Sequence, residues 1–162
     1  MEKAKRILNK ISPYALILAF SIIGTYLIFY KGFGWGSDFE FHFSSMLDKY
    51  TTILKTGKLS VISGNLAIGL GMGNGLFYSP VSHIVPVFLA LILKPLGISL
   101  LSAFKITFVL GVFLSGIFMY RFAMHFTRGS IVASLLASAC YVIYPYRLFD
   151  FFCRGAYAEA FS

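Results

Sequence analysis

The chain has 162 residues, an apolar fraction of 58%, a charged fraction of 12% and a mean hydropathy of +0.80. So few charges cannot cover a water-facing globule, and so much apolar mass excludes disorder, which leaves a membrane protein. The net charge of +8 does not indicate nucleic acid, because the basic residues sit at the ends of apolar runs, as the positive-inside rule predicts.

In chain order, a basic tail ending at Lys10 precedes the first apolar run, residues 11–30, which carries no charge and is long enough to cross a bilayer. Its aromatic end, Tyr26 to Tyr30, lacks a small-x-small cleavage site, so the run reads as an uncleaved anchor with a cytoplasmic N-terminus. Gly32, Gly34 and Gly36 then allow a sharp turn. Residues 37–57 predict an amphipathic helix in the first outer loop. Phe39, Phe43, Met46, Leu47, Tyr50, Ile53 and Leu54 form one apolar stripe at helical spacing. Ser37-x-x-Glu40 matches a capping box, and Gly57 fits the position after the last turn. The stripe is expected to face lipid, with the helix lying on the membrane surface.

The opposite face of that helix carries Asp38, His42 and Ser45 at i, i+4 and i+7. A carboxylate beside an imidazole suits a general base or a metal contact; the alternative is a solvated pair on a capped helix. Gly69-Leu-Gly-Met-Gly-Asn-Gly75 lacks the strand before it and the Lys-Ser/Thr after it that a phosphate loop needs. It reads as a flexible loop that shapes a cavity or admits a ligand to the backbone.

Residues 81–94, with Pro80, Pro86 and Pro95 around them, are short for a span and fit an interfacial or re-entrant helix, a further span being the alternative. His83 there reads as an interfacial histidine. Residues 99–120 predict a second span, with Lys105 in its outer half either snorkelling or facing the bundle interior. Arg121, His125 and Arg128 predict a cytoplasmic basic loop. Residues 129–146 predict a third span, closed by Pro145, with Arg147 as an interfacial anchor beside Tyr144 and Tyr146. Beyond it, Arg154 either pairs with Asp150 or holds a lipid-linked phosphate. A bundle this thin predicts an N-terminal fragment of a longer protein.

Taken in order, Gly36-Ser-Asp38-Phe-Glu-Phe-His42, Leu54-Lys-Thr-Gly57, Phe77-Tyr-Ser-Pro80, Gly97-Ile-Ser-Leu-Leu, Met119-Tyr-Arg-Phe-Ala123, Tyr144-Pro-Tyr-Arg147 and Arg154-Gly-Ala-Tyr-Ala-Glu159 form a series. It resembles the N-terminal part of bacterial YfhO-like polytopic membrane proteins, which look like members of the GT-C superfamily of membrane glycosyltransferases. Some of these carry the label pyruvoyl-tetrahydropterin synthase-related, which names no activity. The resemblance implies an all-α polytopic fold in the cell membrane and sugar transfer from a polyprenyl-phosphate-linked donor to a cell-envelope acceptor on the outer face. It implies Asp38 as the general base, with His42 beside it. Glu40, Lys105, Arg154 and Glu159 are the expected substrate-binding residues, with Lys105 or Arg154 holding the donor phosphate. Asp38-Phe-Glu40 is the nearest form to an Asp-x-Asp pair, so a divalent metal stays open. The alternative is a non-enzymatic integral membrane protein, either a transporter component or an inactive fragment.

Overall fold

The computed structural model describes the backbone of residues 2–30, 36–77 and 80–160, with side chains from residue 12 onward apart from 74, 77, 158 and 160. The expected turn at Gly32 and Gly34, the basic tail's side chains, and Tyr78-Ser79 lie outside the described residues. The described chain is helical. Its one extended feature is an isolated antiparallel bridge between Ser63 and Met72. Among the described residues, two helical segments are long and apolar enough to cross a membrane, Leu100–Phe126 and Ile131–Arg154.

The chain divides into two compact units: residues 1–30 with 108–148, and residues 31–107 with 149–162. In the first unit, α1 (Glu2–Gly24) runs through Pro13 and ends at Thr25, where a 3-10 turn (Tyr26–Phe29) takes over. The expected span 11–30 is therefore not one α-helix. The α-helix begins earlier and stops earlier, and its described apolar part is Ser12–Gly24.

Helix α5 (Leu100–Phe126) gives this unit its residues from Phe108 on. Its 27 residues rise about 40 Å, more than the roughly 30 Å of a bilayer core. Arg121 and His125 belong to its last turns. The expected basic loop is thus mostly helix, and the reversal is confined to residues 127–130, with Arg128 (φ 52) and Gly129 (φ 85) left-handed. Helix α6 (Ile131–Val142) starts at Ser130, whose hydroxyl accepts from the Ala133 N–H. It breaks just before Pro145, which has no N–H to continue the ladder. Helix α7 (Pro145–Phe149) resumes beyond the break. Arg147 is half-buried. Its Nη1 donates to Ser115 Oγ at 2.8 Å, and its guanidinium lies 5.3 Å from the Tyr141 ring centroid.

Small residues set the packing of this unit. A Cβ on Gly116 would lie 2.7 Å from Ile17 Cγ2 and 2.9 Å from Val142 Cγ2, and the Ser138 hydroxyl donates to the Gly116 carbonyl at 2.8 Å. Such residues let helices approach closely where lipid offers no hydrophobic drive. Gly116→Val is expected to destabilise this unit by about 2–3 kcal/mol through overpacking. The check is a lowered unfolding midpoint in detergent.

The second unit is built on α2 (Phe39–Thr56) packed against α4 (Val81–Leu93). The ends of α2 fall close to expectation, and Gly57 is left-handed at φ 70 with its N–H on the Ile53 carbonyl. The capping box does not form. Ser37 does not cap the helix, because its hydroxyl donates to the Arg154 carbonyl instead. Nor does the expected stripe face outward as a unit. Met46 is fully buried, Phe39 packs on Tyr157, and only Leu47 and Leu54 are exposed. The buried face instead carries His42, Ser45, Met46, Asp48 and Lys49.

Helix α4 has 13 residues, about 20 Å at helical rise and too short for the bilayer core. Ser82, His83, Pro86, Val87 and Ala90 form its buried face. A 3-10 turn (Lys94–Leu96) and left-handed Gly97 lead into α5. Residues 58–73 are not a loose glycine loop. The Ser63 and Met72 backbones pair at 2.8 and 3.0 Å, and Gly75 admits the chain's own backbone, since its N–H donates to the Val61 carbonyl. The short helix α3 (Asn74–Phe77) follows.

Candidate functional site

Five glycine and aromatic positions place the expected catalytic segment. A Cβ on Gly36 would lie 2.5 Å from the Gly155 nitrogen, and a Cβ on Gly155 would lie 2.8 Å from the Phe39 nitrogen. The two glycines therefore interlock backbone against backbone. The Asp38 N–H donates to the Arg154 carbonyl at 2.8 Å, and the Ser37 hydroxyl donates to the same oxygen at 3.1 Å. Phe39, Phe104 and Tyr157 seal the join, with the Tyr157 ring centroid 5.7 Å from Phe39 and 4.8 Å from Phe104. Segment 149–160 supplies the other side as a π-turn (Asp150–Arg154) and the single turn α8 (Tyr157–Ala160). π-turns recur at functional sites.

Asp38 is half-buried here, at the foot of α2. One turn along, His42 is buried, and its Nδ1 lies 2.9 Å from Nε2 of His83 on α4. One ring donates and the other accepts, so at least one of the two is neutral. Burial lowers the pKa of both. At His42 the neighbouring Asp38 charge works against that shift. At His83, burial and then the His42 and Lys49 charges bring it down to about 3. Burial thus favours the neutral form of both rings.

The same face of α2 holds Lys49, 2% exposed. Its ammonium donates to Ser45 Oγ at 2.9 Å and to Ser63 Oγ at 3.5 Å. Burial lowers its pKa, with the Asp48 charge opposing. The Asp48 carboxylate accepts from the Gly64 and Asn65 amides at 3.1 and 3.2 Å and from the Asn65 side chain. Each buried polar group on this face thus has a partner, which is the condition for burying it at all.

Acid should unsettle this arrangement. Both histidines have folded values below the ordinary 6.5. Below that value the unfolded chain binds protons that the folded chain refuses, so stability falls as pH falls towards the folded value. From about pH 6.5 to about pH 4, His83 alone is expected to account for a loss of roughly 3 kcal/mol. Denaturation midpoints measured across that range check it, and His83→Asn should flatten the slope.

The six expected site residues all fall in the second unit, but not as one cluster. Asp38, His42, Arg154 and Glu159 are joined through the contacts above and below. Glu40 is exposed in the first turn of α2. Lys105 is half-buried in the second turn of α5. Ser45 does not project to solvent; it is buried on Lys49. Arg154 Nη1 pairs with Asp150 Oδ1 at 2.9 Å and with Glu159 Oε2 at 3.1 Å, while Asp150 is 2% exposed. Of the two readings of Arg154, pairing with Asp150 is the one present, and two carboxylates already balance its charge.

Sequence reasoning missed His83, Lys49 and Tyr157. Tyr157 is buried, with its hydroxyl lacking a hydrogen-bond partner, and burial raises its pKa. Only the four-residue spacing of Ser82, Pro86 and Ala90, with His83 and Val87 beside them, hinted that His83 faces inward. Among the described residues no three His, Cys, Asp or Glu side chains converge to hold a metal ion. Compared with protein-family models, with curated proteins and with solved structures, the chain returns no match, so its family likeness rests on the residue series alone.

Proposed function

We propose that the chain belongs to a multi-pass cell-membrane glycosyltransferase of the GT-C kind. In this reading the N-terminus is cytoplasmic and the second unit works on the outer face. Asp38 removes the proton from an acceptor hydroxyl as that oxygen attacks the anomeric carbon of a polyprenyl-phosphate-linked sugar. The bond from that carbon to the phosphate oxygen breaks, and the polyprenyl phosphate leaves with the electron pair. Lys105, half-buried in the second turn of α5, is the cation assigned to the donor phosphate. Arg154 instead fixes Asp38 through its main-chain carbonyl. Glu40 and Glu159, both exposed, are assigned to sugar hydroxyls.

The observation that carries the reading is the seat of Asp38. It is half-buried at a helix start, tied by its own amide to residue 154, one turn from a buried histidine pair. Geometry fixed in this way favours proton transfer to a positioned base. One observation favours the non-enzymatic alternative: the guanidinium of Arg154, whose main chain holds Asp38, already pairs with Asp150 and Glu159. The protein reconstituted in vesicles with a labelled polyprenyl-phosphate sugar and envelope acceptors separates the two. Label leaving the carrier for an acceptor is the expected result. Label that stays on the carrier, or crosses the bilayer with it unchanged, supports the alternative.

A further inference from the structure

The loop between Ser63 and Met72 has no part in the chemistry above, yet it is the most apolar exposed feature of its unit. Ile68 is 103% exposed and Leu70 90%, the highest values among the large apolar side chains described. Val61 and Ile62 at its root are exposed as well. An apolar patch held out in this way marks an interaction surface.

The backbone holds it out deliberately. Ala67 and Ile68 are left-handed at φ 54 and 59, a region that a β-branched residue avoids unless its surroundings enforce it. A loop that only needed to turn would place Gly or Asn there. The tip also satisfies part of its own backbone. The Leu70 N–H donates to the Ala67 carbonyl at 3.1 Å and the Gly71 N–H to the Leu66 carbonyl at 3.0 Å. Its root is clamped by the Ser63–Met72 pair and by the Asp48 carboxylate on Gly64 and Asn65. Internal pairing of amides is what a segment entering an apolar phase requires.

Charge selects the occupant. Lys55 and Lys58 are exposed just before the loop, and no Asp or Glu occurs between Asp48 and Asp150. Exposed lysines on the segment leading into an apolar loop, with no acidic residue within it, suit anionic headgroups rather than a basic partner. Two helical segments among the described residues are also long and apolar enough to cross a bilayer, which favours a bilayer as the occupant.

We infer that residues 66–71 are a lipid-inserting tab, with Ile68 and Leu70 entering the headgroup–acyl boundary of an anionic bilayer. The tab fixes the second unit against the membrane at a shallow depth, and it does so whether or not the sugar-transfer reading holds.

The test uses the full chain with Cys140→Ser and Cys153→Ser, reconstituted in vesicles of phosphatidylcholine and phosphatidylglycerol. Nitroxide labels are placed at Ile68→Cys and, separately, at Leu70→Cys, with Thr56→Cys as the water-side reference. Dissolved oxygen should relax the tab labels several-fold more strongly than a water-soluble nickel chelate, with the reverse at Thr56. Equal access of the nickel chelate to all three positions overturns the tab. So does spin–spin broadening at Ile68 and Leu70, which would assign the patch to a second copy of the chain, or exclusion of both relaxants.

Discussion

If the chain transfers sugar as proposed, Asp38→Asn is expected to lower that transfer about 100-fold or more, the usual worth of a positioned general base, with folding unchanged. Asparagine has the same shape. The amide of residue 38 can still donate to the Arg154 carbonyl at 2.8 Å, and the Ser37 hydroxyl keeps its own bond to that oxygen. What is lost is an acceptor for the hydroxyl's proton. Asp38→Glu keeps the carboxylate but moves it by one methylene, and an intermediate rate is expected, since misplacement of about 1 Å is enough to matter. A second readout separates charge from structure. The Asp38 carboxylate works to raise the pKa of His42 against its burial, so Asp38→Asn should lower the His42 value further. Imidazole chemical shifts followed against pH report this with no substrate present.

The second large effect concerns the glycine interlock. Gly36→Ala is expected to destabilise the second unit by about 3 kcal/mol or more. The new Cβ would meet the Gly155 nitrogen at 2.5 Å and the Arg154 carbonyl carbon at 2.7 Å. Both are backbone atoms, and neither can swing aside as a side-chain end would. Gly155→Ala combines a clash of 2.8 Å with the Phe39 nitrogen and a left-handed φ of 72. The conformation alone disfavours alanine by about 1–2 kcal/mol. Gly64 is the control: a Cβ there meets nothing within 4 Å, and Gly64→Ala should change stability by no more than about 0.5 kcal/mol. Chemical denaturation followed by a probe in this unit measures all three. The interlock variants should also weaken transfer before they unfold, because the same contact seats Asp38.

What could be read from the residues and what could not divide along a physical line. Helix α2 was legible because its apolar spacing and Gly57 are local signals. Its orientation was not. Periodicity identifies the apolar stripe but assumes that the other face meets solvent, and here His42 has a partner 41 positions away. A buried lysine defies the ordinary expectation for that side chain. Lys49 is accommodated by two serine hydroxyls, Ser45 and Ser63, which no local pattern connects. The join between residues 36–39 and 154–155 was equally hidden. It consists mainly of main-chain groups, whose pairing leaves no trace in side-chain type apart from two glycines. The break before Pro145 was legible because proline acts locally. The helical length beyond Tyr120 was not, because Arg121 and His125 read as a loop when they can equally extend a helix and reach to its end.

The central structural claim is that α2 turns His42 and Ser45 inward while Glu40 faces out. Thiol reactivity tests it most directly. Glu40→Cys and Ser45→Cys, each placed in a chain whose Cys140 and Cys153 are serine, can be reacted with a membrane-permeant maleimide in intact vesicles. Rapid labelling at 40 and protection at 45 until the protein is denatured is the result this account predicts. Equally rapid labelling at both positions would mean that the polar face lies open to solvent, and the site described here would not exist.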